Sequence, residues 1–123
     1  LLPGTIGKIK KREIELLGLS YSEGSDILCG AQNVSHMQNQ HPVDFRKYGH
    51  HLQDIIESPD YVSLHPQDQS IQYIKEFYER GTNDRVLVAV RTTRRGTLFA
   101  RTLFVMSKDK WANYNDKGYI KVY

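Results

Sequence analysis

Residues 85–106 constrain the fold of this chain more than any other stretch. Arg-Val-Leu-Val-Ala-Val-Arg-Thr, residues 85–92, is apolar at odd and even positions alike. A strand of that kind needs cover on both faces, so it belongs in the middle of a sheet. Thr97–Met106 has the same two-sided character. Thr93-Arg94-Arg95-Gly96 separates the two runs and reads as a hairpin turn, with Gly96 free to take a positive φ. The centre of the molecule is therefore predicted to be an antiparallel pair.

The rest of the chain is read around that pair. Residues 9–17 predict a short helix stopped by Gly18. Asp26–Cys29 predicts a short strand between Gly24 and Gly30. Ala31–Gln40 predicts a helix with Val34 and Met37 on one face, ended by Pro42. Asp44 then reads as the N-cap of a helix carrying Phe45, Tyr48, Leu52, Ile55 and Ile56 at helical spacing. Ser58-Pro59-Asp60 breaks it. Tyr61–Leu64 and Ser70–Tyr78 are read as strands, Asn113–Gly118 as turns and Tyr119–Tyr123 as a last short strand. Helices first and an antiparallel sheet afterwards make an α+β domain. With 123 residues, no repeat and no linker, one domain spans 1–123. Its opening Leu-Leu-Pro-Gly reads as a cut from a longer polypeptide, of which this is the C-terminal part.

Several classes of function have no support. One cysteine, Cys29, excludes an internal disulfide and cysteine-rich zinc sites. No apolar run approaches the roughly 20 residues of a membrane span, so no membrane partner is expected. There is no Gly-rich phosphate loop, nucleophile elbow or EF-hand. No metal site and no cofactor is expected. All five histidines (His36, His41, His50, His51, His65) lie between residues 36 and 65, and none completes a ligand template.

The charge is uneven. The net charge is +3, but residues 85–123 hold 9 basic residues against Asp109 and Asp116, a local +7. Such a block suits phosphates. Trp111, Tyr114, Tyr119 and Tyr123 interleave with Lys110, Lys117 and Lys121, a pattern found in base-stacking surfaces. Lys8, Lys10, Lys11 and Arg12 form a second cluster, read as a solvated helix start. Arg91 and Arg101 sit in apolar strands, so each needs an internal carboxylate, with Asp60 a possible partner, or a cleft. Strict alternation points Arg101 and Thr102 to opposite faces unless a bulge intervenes.

A histidine helix before an arginine-bearing sheet suits RNA cleavage without a metal. The substrate supplies its own nucleophile, the ribose 2′-OH. The protein supplies a base, cations for the phosphorane and an acid for the 5′-oxygen. His36, off the Val34–Met37 stripe, is the first candidate for proton transfer. His41 reads as a second candidate or as a helix-end residue.

The ordered pieces Asp26-Ile27-Leu28, His36, His41-Pro42, Ile55–Val62, Val88–Arg91 and Leu98–Leu103 resemble the phage-associated Barnase–EndoU–Colicin–RelE-like (PBECR) nuclease domains of phage polyvalent proteins and polymorphic toxins. The resemblance runs from about Gly7 to Lys121. It implies helices packed on one face of a four- to five-stranded antiparallel sheet, whose open face carries the nuclease site. It implies a catalytic set of His36, Arg91, Arg101 and Thr102, with His41 at the His-Pro step. Lys8, Arg94, Arg95, Tyr114, Lys117 and Tyr119 are expected to bind substrate. The expected partner is RNA, transfer RNA first, with a cognate immunity protein as a second. The expected place of action is the bacterial cytoplasm, reached by delivery into a target cell or by a phage. The alternatives are a non-catalytic RNA-binding module and a degenerate nuclease fold used for protein interaction.

Overall fold

The structure, a computed structural model, describes residues 4–123. In chain order these form β1 (Gly4–Lys8), α1 (Lys11–Leu17), β2 (Asp26–Cys29), α2 (Ala31–Gln40) and α3 (Pro42–Tyr48). A 3-10 turn (Gly49–His51), α4 (Leu52–Glu57), β3 (Tyr61–Leu64) and β4 (Ile71–Glu79) follow. The chain ends with β5 (Thr82–Thr92), β6 (Leu98–Val105), α5 (Lys108–Asp116) and β7 (Lys121–Val122).

All the strands join one sheet in the order β1-β2-β6-β5-β4-β3-β7. The class is α+β, as expected, but the sheet has seven strands rather than four or five. It is also mixed, because β2 runs parallel to β6 while every other neighbouring pair is antiparallel. The two-sided apolar strands β5 and β6 are central. Gly96 closes their hairpin at φ 81°. The β4–β5 turn has both central residues at positive φ, Arg80 at 49° and Gly81 at 82°, which matches the twist of a two-residue hairpin.

Each sheet face has its own core. Val86, Val88 and Val90 of β5 face the main core with Ile55 and Ile56 of α4 and Met37 of α2. Leu87 and Ala89 face a smaller core with Ile74, Met106 and Tyr114. The second core exists because residues 108–116 form a helix, where turns were expected from Asn113 to Gly118 and only Lys117–Gly118 is one. Ser107 caps α5, its Oγ accepting from Lys110 N at 3.1 Å. Trp111 and Tyr114, three apart, then cover part of the sheet. The final strand is correspondingly shorter than residues 119–123.

Two further expectations change. Asp44 is not an N-cap: α3 starts at Pro42, where proline's missing N–H costs nothing. Asp44 Oδ2 instead accepts from Val105 N at 3.0 Å. β2 pairs with β6 only at Leu98 and Phe99, so Asp44 satisfies a donor on the uncovered part of that edge. Lys10 is not solvated. Its ammonium donates to Ile56 O at 2.8 Å and lies 3.3 Å from the fully buried Glu13 carboxylate.

Candidate active site on the open face of the sheet

The face carrying the smaller core is only partly covered by α5, and ladder register decides which side chains reach it. On β5, Leu87 and Ala89 face it, so Arg91 follows on the same side. Arg91 is exposed. On β6 the register shifts opposite Ala89 and Val90: Thr102 pairs with Ala89, Ala100 with Val90, and Arg101 is the extra residue. This is a β-bulge. Ala100 and Leu103 both belong to the helix-side core, so the two residues between them are both excluded from it. The conflict between Arg101 and Thr102 is thereby removed. Thr102 is half-buried on the open face and Arg101 is exposed beside it. Neither arginine takes Asp60, whose Oδ2 accepts from Glu76 N at 2.7 Å.

His41 reaches this face from the helical side. It links α2 and α3 with φ −139° and makes no side-chain cap hydrogen bond. Its ring lies 5.2 Å from that of Phe104, which pairs with Leu87 on the open face. Lys110 Nζ stands 5.0 Å from the centre of the same Phe104 ring and 5.7 Å from that of Tyr114. A histidine and a lysine thus flank one aromatic ring on the face that carries Arg91 and Thr102. His36 is exposed on α2, off the buried Met37 stripe as expected, and unlike His41 its ring stacks on no aromatic of that face. His51 is a packing residue, its ring 4.8 Å from that of Phe77, and His50 is an exposed residue whose ring lies 4.1 Å from that of His51. His50 also borders a cleft of about 650 Å³ on the helical side, with Phe45 and Arg46.

His65 had no role in the sequence reading beyond its place in the histidine cluster. It follows β3 in the parity of Tyr61 and Ser63 and lines a cleft of about 550 Å³ against α5. Its Nδ1 accepts from the backbone N–H of Gln67 at 3.1 Å and of Asp68 at 3.2 Å. Burial pushes the Asp68 carboxyl up, but hydrogen bonds from Ser70, with His65 and Arg91 nearby, hold it below its ordinary value. Below the cleft a buried polar chain runs from Ser63 Oγ to Gln72 Oε1 at 2.6 Å, and from Gln72 Nε2 to the Tyr114 hydroxyl at 3.4 Å. No sequence motif marks that chain, because it is assembled across three elements.

The expected substrate-binding residues divide. Lys117 and Tyr119 line the cleft. Tyr114 lines it too, but only 5% of it is exposed, so it is a core residue with a polar tip rather than a stacking platform. Trp111 is likewise occupied, with the Arg85 guanidinium 4.2 Å over its ring and Tyr61 edge-on at 4.9 Å. Arg85, part of the +7 block, belongs to this packing; its Nε lies 3.4 Å from Glu76. Arg94 and Arg95 are exposed in the hairpin turn. Lys8 is on the outermost strand β1, paired with Asp26 at 2.6 Å, and is not brought to the open face.

Among the described residues, no three of His, Cys, Asp and Glu are grouped to hold a metal ion, and no helix is long and apolar enough to cross a membrane. No curated protein and no solved structure matches the chain. A family model does, over residues 4–113, a span that runs from β1 into α5 and takes in both arginine strands. With nine-tenths of its length matched, the chain belongs to the phage-Barnase-EndoU-ColicinE5/D-RelE like nuclease3 family.

Proposed function

We propose that this nuclease-family chain is an RNA endonuclease that works without a metal from the open face of its sheet. The observation that carries the reading is the grouping of Arg91, Thr102 and the His41–Phe104–Lys110 cluster on one incompletely covered face, with Arg101 at the adjoining bulge. Arg91 and Arg101 hold the scissile phosphate in two-point geometry, and Thr102 donates to one of its oxygens. His41 takes the proton of the 2′-OH. The 2′-oxygen attacks phosphorus, the bond to the 5′-oxygen breaks, and that oxygen leaves as a hydroxyl by taking a proton from the Lys110 ammonium, which the His41 imidazolium's proton restores through solvent. The products are a 2′,3′-cyclic phosphate and a 5′-hydroxyl. On the resemblance alone we infer transfer RNA as the substrate, a toxin or effector role, and an immunity protein as partner.

The test uses a short RNA cut by the protein. EDTA should leave the rate unchanged. A single 2′-deoxy sugar at the cut site should block cleavage there, and the upstream fragment should end in a cyclic phosphate. A 3′-hydroxyl on that fragment, or activity lost to EDTA and restored by magnesium, overturns the mechanism.

The four exposed arginines of the hairpin give a second expected result. Arg91→Ala and Arg101→Ala should each lower the cleavage rate far more than Arg94→Ala or Arg95→Ala. The turn pair should mainly flatten the dependence of binding on salt, by roughly one phosphate contact each. Rates measured on folded variants at two salt concentrations check the ranking, and equal losses at all four positions contradict it.

A further inference from the structure

We propose that the cleft between α5 and the β3–β4 loop reads the nucleobase next to the scissile phosphate, an assignment that rests on the RNA-cleavage reading above. The cleft holds about 550 Å³, room for a nucleotide. It adjoins the proposed catalytic cluster through Lys110, which lines it and also stands over Phe104.

Its lining is of mixed polarity. Asp109, Asn113 and Lys117 are four residues apart on α5 and its C-cap, so they form one stripe along the wall. His65 and Gln67 form the facing wall. A site built only for phosphate needs donors alone, and a carboxylate there repels the ligand. Here Asp109 supplies acceptors, Lys117 supplies donors, and the amides of Asn113 and Gln67 supply both. The edge of a nucleobase likewise carries donors beside acceptors. His65 adds a fixed donor. With Nδ1 engaged by two backbone N–H groups, the neutral ring carries its proton on Nε2.

The cleft is also held in shape. Tyr114 is fixed from below by Gln72, and Tyr119 meets it edge-on, ring centres 5.5 Å apart at 83°. Tyr119 is only half-buried, which leaves its ring a surface against which a base can stack. A lining set in position before the ligand arrives loses little ordering entropy on binding. The sequence shows none of this, since the two walls are more than forty residues apart.

The experiment titrates the whole protein with the four nucleoside 3′-monophosphates and with inorganic phosphate, followed by calorimetry. One nucleotide should bind at least about tenfold more tightly than the weakest of the four, the size expected of a base-edge hydrogen-bond pair. Asp109→Ala and Asn113→Ala should reduce that ratio toward one while phosphate affinity stays within about twofold, since neither group carries the phosphate. Equal binding of all four nucleotides, or a ratio unchanged in both variants, overturns the proposal. Mapping of cut sites separates it from the reading it rests on. RNA cut with no base preference removes the base-reading cleft and leaves the nuclease. Discriminating nucleotide binding with no cleavage of any RNA removes the RNA-cleavage reading and leaves the cleft.

Discussion

His41→Ala should lower the rate of RNA cleavage roughly 10²–10⁴-fold, the usual worth of a positioned acid or base, while the protein stays folded and still binds RNA. The fold should tolerate the change because the bonds His41 makes to its own helices are main-chain bonds. Its N–H donates to Met37 O at 3.1 Å and its carbonyl accepts from Phe45 N at 2.9 Å. Alanine keeps both. What is lost is the ring contact with Phe104, about 1 kcal/mol for an aromatic pair. His36→Ala is the comparison. His36 is exposed on α2 and its ring meets no aromatic of the open face, so its removal should cost less activity. Single-turnover rates and thermal melts of both variants check this. A full-rate His41→Ala protein beside an inactive His36→Ala protein would return proton transfer to α2. Full activity in both would leave the histidines outside the chemistry. If neither wild type nor variant cuts any RNA, the non-catalytic RNA-binding reading takes its place.

Local patterns made much of this architecture readable. β5 and β6 are visible because their apolar residues fall at odd and even positions alike, which places them inside a sheet covered on both faces. β4 is found despite its helix-like spacing, since its β-branched and aromatic residues outweigh that spacing. α1 is bounded by Gly18, which takes the left-handed φ of 65° that a helix stop favours. The failures have causes too. β1, Gly-Thr-Ile-Gly-Lys, buries only Ile6 fully, so it carries no periodic signal. It belongs to the sheet through antiparallel pairing with β2. The parallel pairing of β2 with β6 joins residues about seventy positions apart, beyond any local rule. α5 was masked by Asn113, Asn115, Asp116 and Gly118, although Ser107 three residues before Lys110 offered a cap.

The candidate site was readable in its arginines and less so in its surroundings. Arg91 and Arg101 stand out as charges in apolar strands, and alternation correctly flagged Arg101 and Thr102 as incompatible without a bulge. Alternation could not supply the bulge itself, because one extra residue on β6 leaves no mark in composition. The aromatic C-terminus misled for the opposite reason. Trp111 and Tyr114 resemble a stacking surface in sequence, but the second core consumes them. His65 and Asp109 come together only through tertiary folding.

The largest expected effect on stability lies away from the open face, at Glu13. This side chain is fully buried, yet each oxygen has a partner. Oε2 accepts from the Tyr73 hydroxyl at 2.7 Å, Oε1 accepts from the Tyr123 hydroxyl at 2.7 Å, and Lys10 Nζ lies 3.3 Å away. α1 is thereby tied to central strand β4 and to the residue after β7, whose carbonyl also accepts from Arg12. Glu13→Ala would leave two tyrosine hydroxyls without their acceptor and Lys10 without its counter-charge, and open a cavity. Removing one member of a buried ionic network costs about 3–5 kcal/mol, which for a domain of this size lowers the melting temperature by roughly 10–20 °C. Glu13→Gln keeps an acceptor oxygen and should lose less. The same cluster sets the alkaline limit. Burial, then the Glu13 carboxylate, pushes the Tyr73 hydroxyl far above its ordinary value; Tyr123 is raised by burial and by its bond to Glu13. Below about pH 10, the ordinary tyrosine value, both states keep these protons and the cluster's contribution is complete. Above it the unfolded chain releases protons that the native state still holds, so stability falls as pH rises. Melting curves of wild type should therefore fall steeply from pH 9 to pH 11, and those of Tyr73→Phe should start lower and fall less. A wild-type melting temperature flat across that range, or a Glu13→Ala protein as stable as wild type, would show that the buried cluster does not hold α1 in place.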